Sequence, residues 1–147
     1  MKLISHRGNL NGPNPERENH PDYIYEAIQA GYDVEIDVWW VDGKFKLGHD
    51  EPQYDFPFDL FNNFYPKLWI HCKNMDALSQ LNELDSNGSK LNYFSHEEDP
   101  GVLTSCGYIW STNLYKRGIL VMPEVFSKKP IETTLGVCSD YIKNYKK

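Results

Sequence analysis

Basic surplus is missing from this 147-residue chain: 15 Lys and Arg stand against 21 Asp and Glu, a formal net charge of -6. An acidic balance of that size argues against a nucleic-acid-binding surface. It leaves phosphorylated small molecules open, because a bound divalent cation inverts the local sign. Long hydrophobic runs are missing too. Stretches such as Ile119 to Met122 fall far short of the roughly 20 residues that span a bilayer, so no transmembrane segment is expected. The opening MKLISHRG enters a predicted strand at once, without the long apolar region of a signal peptide. Cysteine is scarce, and Cys72, Cys106 and Cys138 each lie in an apolar, strand-like context. An odd number with no paired spacing reads as reduced thiols packed as small hydrophobes. The expectation is a soluble protein of the cytoplasm.

What is present is enough apolar material for one core. A 40% hydrophobic content over 147 residues supports a single domain spanning 1–147. Short β-rich segments predict strands at Lys2–Ser5, Asp33–Val41, Lys67–Cys72, Leu91–Ser95, Gly107–Ser111, Ile119–Met122 and Val137–Tyr141. Between the first of these lie two helical patterns. Pro21–Ala30 puts Ile24, Ala27 and Ile28 on one face and stops at Gly31. Met75–Leu84 repeats the pattern behind Asn74 as its cap. Strand, helix, strand, helix, strand predicts βα units and an α/β fold with mostly parallel strands. The second half breaks the rhythm, since too few residues separate Ser111 from Ile119 for a helical crossover. A complete (β/α)8 barrel takes about 200 residues at the least. The chain therefore reads as a small, contracted or incomplete barrel. A missing segment would leave a sheet edge for a second copy to cover, so a homo-oligomer is among the expected partners.

The stretch VEIDVWWVDGKFKLGHDEP, beginning at Val34, carries the chemistry. Residues two apart in a strand share a face, so Glu35, Asp37 and Trp39 point one way and Val34, Ile36 and Val38 the other. Asp42-Gly43 is a two-residue hairpin signal. Counting back from it pairs Val41 with Lys44 and sets His49 opposite Ile36. In a regular ladder His49 would then face away from the carboxylates, so the ladder must bulge or end at Gly48. In KLWIHCK, Trp69, His71 and Lys73 share a face. His71-x-Lys73 and His6-Arg7 occupy C-terminal strand ends, where barrels place their chemistry. Two carboxylates and a histidine suit a divalent cation, two histidines suit acid–base work, and Arg7 and Lys73 suit phosphate oxygens. Together they point to metal-assisted phosphodiester chemistry. His96 and Glu124 follow strand candidates and are candidates for the same mouth. Glu97, Glu98 and Asp99 read as the acidic start of a helix. Trp110 is core or a pocket wall, and Asp140 reads as structural. The aromatic run Tyr54 to Tyr65 would cap the barrel, bind an apolar leaving group or make an oligomer contact.

The ordered set SHRG, Glu18-Asn19, AIQAGYDVEIDV and DGKFKLGHD resembles the glycerophosphodiester phosphodiesterase family. That family belongs to the phosphatidylinositol-phospholipase-C-like phosphodiesterases, which share a TIM-barrel fold. The resemblance is close over residues 3 to 52 and weaker through WIHCKN and LGVCSDYI. It implies a TIM-barrel-like fold, a lipid-metabolism hydrolase and a small phosphodiester substrate. It makes His6 and His49 the acid–base pair, and Glu35 and Asp37 ligands of one divalent metal ion. Arg7 and Lys73 become phosphate contacts, Glu18 a ligand or a residue beside the metal site, and Asp50 the support of His49. Where the family has a third acidic ligand, this chain has His71. By resemblance the ion would be Mg2+ or Ca2+; an imidazole there shifts preference towards Mn2+ or Zn2+. Two alternatives accompany this expectation. One is a phospholipase D-like or phosphoinositide-type lyase giving a cyclic phosphate. The other is a non-catalytic phosphate-ligand or protein-binding module on a decayed barrel.

Overall fold

The strand Asp33–Val41 (β2) organises the rest, and its neighbours are fixed by its two edges. A computed structural model describes residues 1–59, 61–86 and 90–145. The elements run β1 (Lys2–His6), α1 (Pro21–Gln29), β2, β3 (Lys44–Leu47), β4 (Tyr54–Asp55), β5 (Leu68–Cys72), α2 (Met75–Leu84), β6 (Tyr93–Ser95), β7 (Gly101–Leu103), β8 (Ile109–Ser111), β9 (Gly118–Val121), α3 (Pro123–Phe126) and β10 (Gly136–Ser139). Seven strands lie parallel in the order β6-β5-β2-β1-β10-β9-β8. On one edge β2 pairs with β5 from Val34↔Leu68 to Val38↔Cys72. On the other, β1 pairs with it up to His6↔Glu35, and β3 takes over antiparallel from Val38↔Leu47. β7 returns antiparallel along β8.

Local chemistry explains the helices. α1 begins with Pro21 behind the His20 side chain, which accepts from Asp22 N, and ends at Gly31 with φ 96°. α2 starts at Asn74, whose side chain accepts from Ala77 N and also brackets the backbone of Trp40. Its cap thus ties the helix to β2. No helix follows His96: Glu97, Glu98 and Asp99 form a bend leading into β7, so the acidic cluster starts nothing helical. β8 reaches β9 through residues 112–117 without a helix, and α3 is a single short turn. The shortened connections expected of the second half are what contract the barrel.

Two apolar layers result. Outside, Ile24, Ala27 and Ile28 of α1 and Ala77 and Leu81 of α2 bury against Val34, Ile36, Val38, Leu68, Ile70 and Cys72. Most of the aromatic run joins this layer, with Phe56 and Phe61 buried and Phe58 stacked on Phe45 at 4.8 Å. Inside lie Ile4, Trp69, Phe94, Trp110, Ile119 and Cys138, contributed by six different strands. Such a cluster forms only if the sheet curls around it. Trp110 sits 4.8 Å from Phe94 and 5.6 Å from Trp69, ring centre to ring centre. The gap between the end strands β6 and β7 is bridged from the β7–β8 turn by Ser105, which bonds Tyr93 O through its N–H and Leu91 O through its hydroxyl. The architecture is a mixed α/β, mostly parallel sheet curled into an incomplete barrel with an aromatic floor. Among the described residues no helix is long and apolar enough to cross a membrane.

Candidate active site

Above that floor the inward-facing residues become polar. Parallel register sets His6 beside Glu35 and His71 beside Asp37, with the two histidines at the C-terminal ends of β1 and β5 and the carboxylates in the stretch of β2 that pairs with them. Glu35 and Asp37 are only 3% and 1% exposed. Asp37 Oδ2 accepts from Asn19 Nδ2 at 2.8 Å and pairs with Arg7 Nε at 3.2 Å. Its other oxygen, Oδ1, and Oε1 of Glu35 are buried without a hydrogen-bond partner. Burial, then the charge of Asp37, pushes Glu35 well above the usual carboxylate range. Burial acts the same way on Asp37, but His49, His71 and Arg7 outweigh it and hold Asp37 well below that range. Adjacent buried carboxylates of this kind call for positive charge.

His71 completes the cluster. Its ring stacks on Phe94 at 5.2 Å and 13°, and its Nε2 lies 3.0 Å from the carbonyl of His96. A carbonyl only accepts, so Nε2 carries the hydrogen and Nδ1 faces inward. Nδ1 is 3.1 Å from Asp37 Oδ1 and 3.9 Å from Glu35 Oε2. One ligand atom from each of Glu35, Asp37 and His71 lies within 4.8 Å of the other two. Two orphaned carboxylate oxygens and a ring nitrogen held towards them by a carbonyl on its far side fit a single divalent cation.

The acid–base candidates flank this cluster and are tethered in opposite senses. His6 Nδ1 lies 2.7 Å from Asp140 Oδ1, which also accepts from Asn9 at 2.9 Å. An ionised carboxylate only accepts, so His6 donates from Nδ1, and its Nε2 lies 3.7 Å from Glu35 Oε1. His49 Nδ1 instead meets the Arg7 guanidinium at 2.7 Å. Arginine only donates, so this nitrogen accepts, and a neutral ring carries its hydrogen on Nε2. Arg7 holds a left-handed φ of 58°, fixed by bonds from its N–H to Glu35 O and from Asn19 N–H to its carbonyl. Strain of this kind gathers at working sites.

His49 reaches the cluster because the hairpin ladder stops. The turn falls at Asp42-Gly43, and the last paired residues are Val38↔Leu47. Gly48 gives one more bond, to Asp37 O, and the Trp39 indole clamps its carbonyl at 2.7 Å. The chain then folds so tightly that a Cβ on Gly48 would lie 1.9 Å from Glu51 O. His49 is thereby released from the Ile36 face and turned to within 3.5 Å of Asp37 Oδ2.

The remaining candidates sort by contact. Glu18 binds Arg7 at 3.2 Å and Asn14 N–H, so it supports the guanidinium and stands apart from the Glu35–Asp37–His71 cluster. Asp50 is exposed and 3.6 Å from His49 Nε2; the firmer hold on His49 comes from Arg7. A cavity of about 130 Å3 is lined by His6, Arg7, Glu35, Asp37, His49 and His71 together with His96 and Trp110. It lies beside a groove of about 570 Å3 that Lys73, Trp39, His49 and His96 also line. Lys73 has no carboxylate within salt-bridge distance among the described residues. Glu124 is turned away, accepting from Ser139 Oγ and Asp140 N–H. Asp140, which the sequence reads as structural, touches His6; Asn19 enters the sequence reading only within the Glu18-Asn19 pair, with no role of its own, and Asn9 does not enter it. The Glu18-Asn19 pair and the CSD at the last strand's end were the available signals. Cys72 and Cys138 are buried, and burial pushes the Cys72 thiol up to about 12, whereas Cys106 is exposed in a turn rather than packed in a strand.

Compared with protein-family models, with curated proteins and with solved structures, the chain matches none. Function is therefore read from the site itself.

Proposed function

We propose that this chain is a metal-dependent phosphodiesterase, a shortened glycerophosphodiester-phosphodiesterase-like protein on an incomplete TIM-barrel-like fold. The substrate is a glycerophosphodiester or a related small phosphodiester, and the reduced thiols suit the cytoplasm. The observation that carries the reading is the pair of oppositely tethered imidazoles, His6 on Asp140 and His49 on Arg7, across one carboxylate–histidine cluster.

Glu35, Asp37 and His71 hold the ion, which when bound supplies positive charge to the phosphoryl oxygens. His6 presents an unprotonated Nε2 and takes the proton of the attacking hydroxyl; the Asp140 carboxylate stabilises the imidazolium that forms. His49 directs its Nε2 hydrogen at the oxygen of the departing alcohol. The new O–P bond forms as the old one breaks; the neutral His49 ring stabilises the departing oxygen through that hydrogen bond, and the His6 imidazolium passes on the proton that the alcohol takes up. Lys73, with no carboxylate at salt-bridge distance among the described residues, lines the groove where phosphate oxygens would lie. Arg7 is largely committed to Glu18, Asp37 and His49, so its main part is to hold His49.

The test is metal-dependent hydrolysis of bis(p-nitrophenyl) phosphate or glycerophosphocholine. His6→Ala and His49→Ala should each lower kcat by about 10²–10⁴. Unchanged turnover in both variants would remove the acid–base assignment. Phosphorus NMR of the product separates hydrolysis from the lyase reading, in which a cyclic phosphate accumulates.

A further inference from the structure

The wall of the metal cavity contains one more group without a partner. His96 follows β6, the neighbour of β5, and lines the same cavity of about 130 Å3 as Glu35, Asp37 and His71. Its Nδ1 is buried with no hydrogen-bond partner. Four buried side-chain atoms without a hydrogen-bond partner thus belong to residues of one cavity: Glu35 Oε1, Asp37 Oδ1 and His96 Nδ1, together with Arg7 Nε, which is ion-paired with Asp37 at 3.2 Å. Leaving such groups unmet carries a desolvation penalty, so the three outside that ion pair point to a shared ligand.

We propose that His96 supplies a second imidazole to the Glu35–Asp37–His71 centre, and that this donor set selects Zn2+ or another late first-row ion over Mg2+ and Ca2+. The inference rests on the metal-holding part of the proposed function and not on the reaction.

Geometry allows it. With Zn–N near 2.1 Å a ring centre lies roughly 3.3 Å from the ion, so two imidazoles sharing one ion at a tetrahedral angle have centres roughly 5.4 Å apart. The His71 and His96 ring centres are 6.2 Å apart. The same residue's carbonyl takes the His71 Nε2 hydrogen, so His96 would both orient one ligand and be another. Chemistry sets the selectivity. Mg2+ and Ca2+ are hard ions that prefer oxygen donors, whereas imidazole suits Zn2+, Co2+ and Ni2+. Two imidazoles with two carboxylates form a borderline set.

Co2+ is the probe, because it reports its ligands in visible absorption. Titrating metal-free protein with Co2+ should produce ligand-field bands that about one equivalent of Zn2+ abolishes and a large excess of Mg2+ or Ca2+ leaves intact. His96→Ala should weaken Co2+ binding at least about tenfold and change the band shape, with thermal unfolding confirming a folded variant. His71→Asp, which adds an oxygen donor and a charge, should make Mg2+ an effective competitor. No Co2+ bands, displacement by Mg2+ or Ca2+ at comparable concentration, or an unchanged spectrum and affinity in His96→Ala would each overturn the proposal. Phosphodiester turnover with each metal is scored separately. Turnover with Mg2+ but no Co2+ site defeats this inference alone, and a Co2+ site without turnover defeats the phosphodiesterase reading alone.

Discussion

An Nη of Arg7 lies 2.7 Å from Nδ1 of His49, although the two residues are 42 positions apart. The same guanidinium binds Glu18 and pairs with Asp37 through separate nitrogens. A planar fork can hold three partners at once; a lysine ammonium is a point charge and cannot. Arg7→Lys should therefore leave the His49 tautomer unfixed while preserving local charge. Loss of a charge-assisted hydrogen bond of about 1.5–3 kcal/mol corresponds to a fall in kcat of roughly 10- to 100-fold. Nitrogen-15 NMR should show His49 Nδ1 as the unprotonated nitrogen in the parent and a mixture in the variant. A large rise in KM with kcat and the NMR signature intact would make Arg7 a phosphate contact instead.

On the opposite side of the cluster His6 depends on Asp140. Burial favours the neutral carboxyl there, but the hydrogen bond and charge of His6 and the bond from Asn9 prevail, so the Asp140 pKa is lowered. A carboxyl whose folded value is depressed contributes stability that is complete above its unfolded value, near 3.9 for Asp. That contribution is lost as pH falls through the lower folded value. Asp140→Asn should consequently melt below the parent by a constant margin at pH 5 and above, and the margin should shrink below about pH 4. Its kcat should fall by roughly 10²–10⁴ with its pH profile altered, because Nδ1 of His6 loses the anion that fixes its tautomer. Equal melting margins down to pH 2, with an unaltered rate profile, would show Asp140 to be packing only.

Much of this arrangement is legible in β2 itself. Period-two alternation is a local property, so the shared face of Glu35 and Asp37, and of His71 and Lys73, follows directly from sequence. The shortened second half is legible in the same way, from the spacing of Ser111 and Ile119. Asp140 is not. It meets His6 across 134 positions, through the β1–β10 pairing that depends on the sheet curling. Asn9 and Asn19 lack any periodic signature, and their amides acquire roles only once Asp140 and Asp37 are beside them. Closure through Ser105 is hidden for the same reason: one hydroxyl and one N–H bridge two strands that share no ladder.

Gly48 is where the sequence posed its sharpest condition, and the structure meets it sterically. The residue has φ 157° and faces the carbonyl of Glu51 so closely that a methyl group would sit 1.9 Å from the oxygen. Backbone, unlike the tip of a side chain, cannot swing aside. Gly48→Ala must push the Glu51–Gln53 segment outward or rotate Gly48 back into the ladder, and the second outcome returns His49 to the Ile36 face. Overpacking of this kind costs about 1–3 kcal/mol, which at roughly 2–4 °C per kcal/mol for a chain of this size lowers Tm by several degrees. Activity should fall as far as in His49→Ala, while affinity for the proposed ion, whose ligands Glu35, Asp37 and His71 lie on β2 and β5, should stay within about threefold, well under the 10–100-fold that disturbing a ligand's support costs. Gly43 provides the control: it has φ 77° but nothing within 4 Å of an added Cβ, and asparagine tolerates that conformation. Gly43→Asn should keep both Tm and turnover. If Gly48→Ala were as benign as Gly43→Asn, the break in the ladder would not be what delivers His49 to the site.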